Sequence, residues 1–243
     1  MIDDKMPISD LLPSSRHLLF MAILLVTGLA LDNLFPFMGQ IFFSIIAWVS
    51  FLFFYEQIKN QKARFILMSC LVIATLGELF CSLVWGLYTY RLENIPHYVP
   101  VGHVFMFLFS LYLAPRLPNW IIYLVPVLVV PYVLAGYMIG FDEFGVILAA
   151  FLVACVINAP TTSEKKMYIT TFMLSLCLEI YGTYLGNWAW LAEVPYWSLS
   201  NTSPPLASGA FYCVLDFLII YTLSTKQQTP VEELNQYAVL NEA

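Results

Sequence analysis

Eight runs of apolar residues, separated by short polar or proline-bearing connections, cover most of the chain: 18–35, 38–55, 65–90, 101–114, 120–140, 144–159, 167–191 and 207–224. A hydrocarbon core of about 30 Å is crossed by about 20 helical residues. The pattern therefore predicts an all-α, polytopic membrane helix bundle with about eight transmembrane helices. The fourth and sixth runs are short enough to be broken or re-entrant, which leaves six or seven spans as alternatives.

The basic residues test that count independently. With eight spans, Lys5, Arg16, Lys59, Lys62, Arg64, Arg116, Lys165, Lys166 and Lys226 fall on one side, and only Arg91 falls on the other. Membrane proteins keep Lys and Arg in cytoplasmic loops, so both termini are expected in the cytoplasm, and a bacterial inner membrane is the expected location. The stretch 226–243 is polar and predicts a cytoplasmic tail. The first run lacks a small-residue cleavage site and carries Asp32, so it is expected to remain as an anchor.

Composition sharpens this picture. The 243 residues are 60% apolar, 16% aromatic and only 11% charged, with a mean hydropathy of +0.79, which excludes an ordinary soluble domain. The net charge of −6 comes from acidic tails and loops, and no polybasic cluster suggests nucleic acid or anionic lipid. The bilayer and a neutral lipophilic small molecule are the expected partners. Cys70, Cys81, Cys155, Cys177 and Cys213 all lie in predicted helices without a C-x-x-C, which reads as packing rather than a disulfide or metal framework. Asn201, Thr202 and Ser203 match a glycosylation sequon, but Pro204 follows at once and short matches arise by chance.

Two glutamates interrupt the apolar runs, and the same order of residues follows each. After Glu78 come Gly86, Tyr88, Tyr90, Pro96 and Tyr98; after Glu179 come Gly186, Trp188, Trp190, Pro195 and Trp197. The glutamates are 101 positions apart, the glycines 100 and the prolines 99. An interfacial aromatic belt explains the Tyr and Trp but not the Glu, Gly and Pro. The pattern thus predicts two parallel four-helix repeats, 1–115 and 116–225, since an even number of helices per half preserves direction.

Depth brings a third carboxylate into play. Glu78 and Glu179 stand about 12 residues into their helices and Asp216 about nine from the other side, or roughly 18–20 Å and 14 Å at about 1.5 Å per residue. All three reach about the same level and could meet. A carboxylate there pairs, protonates or acts, and a cluster of like charges is expected to hold at least one proton. Helical spacing places Cys81, Ser82 and Trp85 on the face of Glu78, Gly182 and Gly186 on that of Glu179, and Gly209 and Tyr212 on that of Asp216. Gly182 and Gly186 also form a GxxxG, whose ordinary use is close helix packing; the other reading is clearance for a bound substrate beside Glu179.

These groups suggest acid–base chemistry. A carboxylic acid that keeps its proton in an apolar pocket is a general acid. Trp85 and Tyr212 could turn π faces toward a developing cation, Tyr88 and Trp188 add aromatic surface, and His103 could shuttle protons. His103 also starts a helix after Pro100, where hydrogen bonding within a loop is the plainer role. No H-E-x-x-H or Glu-x-x-His pair is present, so a zinc or di-iron site would need Glu78, Glu179, Asp216 and His103 gathered from four helices. No metal or other cofactor is expected. An aspartate-rich magnesium motif is absent and the carboxylate side offers only Arg91, so the substrate should be neutral rather than a phosphate ester.

The stretch Tyr98-Val99-Pro100-Val101-Gly102-His103, with Gly182, Thr183, Gly186, Trp188 and Trp190, then Pro204, Pro205 and Gly209, resembles motifs of multispanning bacterial membrane proteins of uncharacterised function. More loosely, a Glu and an Asp on different helices of a compact bundle is similar to membrane-embedded carotenoid hydratases and small membrane-bound terpene cyclases. That second likeness is architectural and implies acid–base chemistry on an isoprenoid without assigning a substrate.

The leading expectation is an integral membrane enzyme acting on a neutral, isoprenoid-like lipid. Glu78 or Glu179 would protonate an alkene or epoxide, Trp85 and Tyr212 would stabilise the cation, and Asp216 would accept a proton or position water. A proton-coupled carrier, with the two glutamates at a shared site, and an assembly or structural protein remain as alternatives.

Overall fold

The computed structural model describes residues 11–223, so Lys5, Lys226 and the predicted 226–243 tail lie outside the described residues. Eight α-helices run along them: α1 (Ser15–Leu34), α2 (Met38–Gln57), α3 (Gln61–Glu78), α4 (Val99–Leu113), α5 (Ile121–Met138), α6 (Phe144–Asn158), α7 (Thr162–Tyr184) and α8 (Ala210–Leu223). Five are long and apolar enough to cross a membrane: α1, α2, α3 with its extension to Val84, α4 with its extension to Arg116, and α5. That marks a multi-pass membrane protein. α6 and α8 are shorter, and α7 carries Glu164, Lys165, Lys166 and Glu179.

Polarity runs inside out. Leu19, Phe20, Ile23 and Val26 of α1 and Phe42, Ile45, Val49 and Phe53 of α2 are exposed, whereas Asp32, Gln40, Ser44, Glu78, His103 and Glu179 are buried. Lipid tails are as apolar as Leu, so the bundle places bulky aliphatics outward and gathers polar groups where they bond to one another.

Helix starts follow ordinary capping. Ser14, Asn60 and Thr161 accept from the backbone N–H groups of His17, Ala63 and Glu164 at 3.3, 3.0 and 3.2 Å, filling orphan donors at the openings of α1, α3 and α7.

The ends of α3 and α7 correct the expected helices 65–90 and 167–191. α3 loosens into a π-helical turn, Leu79–Val84, and Gly86 then reverses the chain at φ +75°. α7 stops at Gly186, φ +72°, where Gly186 N–H donates to Thr183 O and Asn187 N–H to Gly182 O, both at 3.0 Å. That is a Schellman stop, which needs a residue comfortable in the left-handed region. The residues beyond each glycine form strands, β1 (Tyr88–Tyr90) and β2 (Trp188–Trp190).

β1 and β2 pair antiparallel with Tyr88 opposite Trp190, Thr89 opposite Ala189 and Tyr90 opposite Trp188. Their flanks bond reciprocally, Arg91 N–H to Asn187 O and Leu191 N–H to Leu87 O, each at 3.0 Å. α3, α4, α7 and α8 form the centre, in which α3 meets α4 and α8, and α7 meets the same two helices. α1 and α2 pack together and touch α4, while α5 and α6 pack together and touch α7, with α6 also on α8. The short sheet thus joins the ends of α3 and α7 beside this central group.

Candidate active site

A strand exposes alternate residues to opposite sides, so one face of the β1–β2 pair carries Tyr88, Tyr90, Trp188 and Trp190 while Thr89 and Ala189 point away. All four aromatics are buried. Glu78 Oε2 accepts from Tyr88 Oη at 2.8 Å and Tyr90 Oη at 2.6 Å. Glu179 Oε2 accepts from Trp188 Nε1 at 2.9 Å and Trp190 Nε1 at 3.0 Å. Each glutamate is therefore held by the strand that follows its own helix.

The remaining oxygens turn to α4 and α8. His103 Nε2 lies 2.8 Å from Glu78 Oε1, and Tyr212 Oη donates to Glu179 Oε1 at 3.3 Å. The His103 and Tyr212 rings stack with centroids 4.3 Å apart and planes 17° apart. An indole N–H can only donate, so Glu179 Oε2 is an obligate acceptor. A proton resident on Glu179 belongs on Oε1, beside Tyr212. The two phenols meet Glu78 at Oε2, and its other oxygen, Oε1, is the one shared with His103.

A cavity of about 40 Å³ lies among these groups, lined by Leu25, Leu29 and Phe43 together with both glutamates, His103 and the four strand aromatics. Tyr98 also lines it and ties it to α1: its Oη donates to Asp32 Oδ2 at 2.7 Å, while Arg91 Nη2 sits 2.6 Å from Asp32 Oδ1. Arg91 further donates to the carbonyls of Asp32 and Asn33 near the end of α1. The lone basic residue of its loop is thus a clamp on α1 rather than a free anion binder.

Of the residues picked out from sequence, Glu78, Glu179, His103, Tyr88, Trp188 and Tyr212 come together here. Gly182 serves the site indirectly, because a Cβ there would sit 1.9 Å from the Trp188 ring. Gly186 has open space around it and acts as the turn, which corrects the GxxxG packing reading. Asp216 accepts from Thr171 Oγ1 at 2.7 Å and is not among the residues that line this cavity. Equal depth does not ensure equal azimuth around a helix. Trp85 does not line the cavity either, its Nε1 donating to Pro195 O at 3.3 Å and its ring set edge-on to Trp197 at 5.0 Å. The π turn shifts it from the Glu78 face that regular helical spacing assigned.

Sequence reasoning did not assign Tyr90, Trp190, Tyr98, Asp32 or Arg91 to the site. Tyr90 and Trp190 were findable from the repeat itself, since the aromatic-x-aromatic triplet recurs at the same spacing after each glycine. No local signal pairs Asp32 with Arg91. Among the described residues, no group of three or more His, Cys, Asp or Glu side chains could hold a metal ion. The sequence matches no protein-family model, no curated protein and no solved structure.

Proposed function

We propose that this chain is an integral membrane enzyme that carries out acid–base chemistry, namely cyclisation, hydration or isomerisation, on a neutral, isoprenoid-like lipid. The observation that carries this reading is the matched pair of buried carboxylates, each anchored through Oε2 by two aromatic donors and each leaving Oε1 beside His103 or Tyr212. Anchored carboxylates of fixed orientation with one exchangeable oxygen are what a general acid and a general base require. Aromatic walls suit a carbocation formed between them.

Access supports a lipid. A groove of about 520 Å³ runs between α2, α3 and α4, lined by Trp48, Leu71, Val72, Thr75, Leu76, Leu79, Ile95, Pro96, His97 and Pro100, and Glu78 borders it. Val72, Leu76 and Leu79 are exposed on the outer, apolar surface, so the groove is open toward the bilayer and within the usual range for small-molecule sites. The 40 Å³ cavity suits the reacting atoms, and the groove suits the chain that bears them.

In this reading the chain spans the membrane eight times as two parallel halves, 1–115 and 116–225, with both termini in the cytoplasm of a bacterial inner membrane. The reciprocal bonds Arg91 to Asn187 and Leu191 to Leu87, whose donors are 100 positions apart and whose acceptors are too, support the two halves. A second reading draws on that reciprocity: carriers built from parallel repeats bind at the repeat interface, where the two glutamates lie.

Comparison of lipid extracts from cells lacking the protein, complemented with wild type, or complemented with Glu78→Gln at matched abundance separates these. A lipid that gains or loses water, or changes retention at constant mass, and follows Glu78 supports the enzyme. Unchanged lipids with a Glu78-dependent, pH-driven flux support the carrier.

A further inference from the structure

On the other side of the carboxylates, between α3 and α8, is a second cavity of about 40 Å³. Glu78, Tyr88, His103, Glu179, Trp190 and Tyr212 border both cavities, and Gly77, Cys81, Ser208, Phe211 and Leu215 belong to this one. Ser208 is 1% exposed, and its Oγ bonds to no group among the described residues. Its backbone is already fixed, the N–H donating to Pro205 O at 3.1 Å. A buried hydroxyl without a partner is costly, and the polar atoms of Tyr88, Trp190 and Tyr212 that border the cavity are already bonded to the carboxylates.

We infer that this inner cavity is a water site, in which Ser208 Oγ and the two carboxylates hold a water molecule shared between Glu78 and Glu179. The volume is sufficient, since one water needs about 10–15 Å³ of such space and two to four polar partners. Ser208 Oγ, Glu78 and Glu179 provide three. Ser208 is thus a positioning residue, and the water links two acids that share no direct hydrogen bond. Its catalytic part, as proton bridge or as the second reactant of a hydration, rests on the proposed function; its presence does not.

The test uses the full chain, purified and without substrate, compared by infrared difference spectroscopy in H₂O and H₂¹⁸O. The expected result is an O–H stretch of internal water that shifts with ¹⁸O, is lost in Ser208→Ala and persists in the control Ser50→Ala. The carboxyl bands that Glu78→Gln and Glu179→Gln identify should move in Ser208→Ala as well. If Ser208→Ala does not fold, Ser208→Cys, a weaker donor of similar size, should displace the water band. Absence of an ¹⁸O-sensitive internal band, or one unchanged in the Ser208 variants, overturns the site. Because no lipid is added, this outcome is independent of the extract comparison.

Discussion

His103 and Tyr212 lie face to face, 4.3 Å apart, and each reaches the Oε1 of a different glutamate. The stack joins α4 to α8 at the level where Glu78 and Glu179 enter from α3 and α7. Two carboxylates, the six side chains bonded to them and one ring stack form a single unit, so a change at one member should be felt by its partner.

That coupling separates charge from shape. Glu179→Gln keeps an oxygen able to accept from both Trp188 and Trp190 and should stay folded with activity lost. Glu179→Leu leaves two buried indole N–H groups unpaired, at about 1–3 kcal/mol each. Thermal unfolding in detergent should rank wild type and Glu179→Gln well above Glu179→Leu; equal stability of the two variants would contradict the anchoring.

Gly182 and Gly186 make opposite demands. Gly182→Ala drives a methyl into the Trp188 ring, an overpacking of about 1–3 kcal/mol, and should pull the indole off Glu179 with a change in tryptophan fluorescence. Gly186→Ala meets no atom but must hold φ near +72°, costing about 1–2 kcal/mol with the fluorescence unchanged. A GxxxG contact between helices would instead make both variants alter helix packing.

Asp32 and Arg91 form a pair in which the Asp32 side chain is 2% exposed and that of Arg91 is 21% exposed. Removing one partner of a buried pair leaves an uncompensated charge and costs about 3–5 kcal/mol. Asp32→Ala and Arg91→Ala should each lower the unfolding temperature strongly, and the double variant should lose less than the sum of the two. Additive losses would show that the pair is not coupled.

Asp142, in the turn between α5 and α6, predicts a pH effect. Burial pushes its carboxyl above the usual Asp range, opposed by hydrogen bonds from the N–H groups of Leu206 and Gly145 and from Thr202 Oγ1. The folded state then binds the proton more readily than the unfolded chain. Ionised Asp142 therefore disfavours folding above its folded pKa, and this penalty fades as pH falls toward the ordinary value of about 4. Unfolding temperatures of wild type and Asp142→Asn, followed from pH 7 to 4, should move in favour of wild type. A constant difference would contradict the sign.

Much of the helix arrangement was legible in sequence because helix length and bilayer thickness constrain each other. The predicted runs 18–35 and 38–55 fall within a few residues of α1 and α2. What escaped was the departure from helix after Glu78 and Glu179. Three residues of aromatic-x-aromatic are too few to reveal a period of two inside an apolar run, and Tyr and Trp at a helix end ordinarily indicate an interfacial belt. Gly86 and Gly186 were visible as stop signals, but only pairing across 100 positions turns the segments into strands. Asp216 shows the converse limit: depth follows from counting residues, whereas the neighbour it faces, Thr171, follows from packing.

The most direct test of the account incubates purified protein, in D₂O, with lipid extract from cells that lack it. If an acid of the Glu78–Glu179 pair protonates a carbon of the substrate, the product carries one deuterium on carbon that washing in H₂O does not remove, and Glu78→Gln abolishes it. A product formed without carbon-bound deuterium, or lipids left unaltered by folded wild-type protein, would contradict protonation of a substrate carbon at this site.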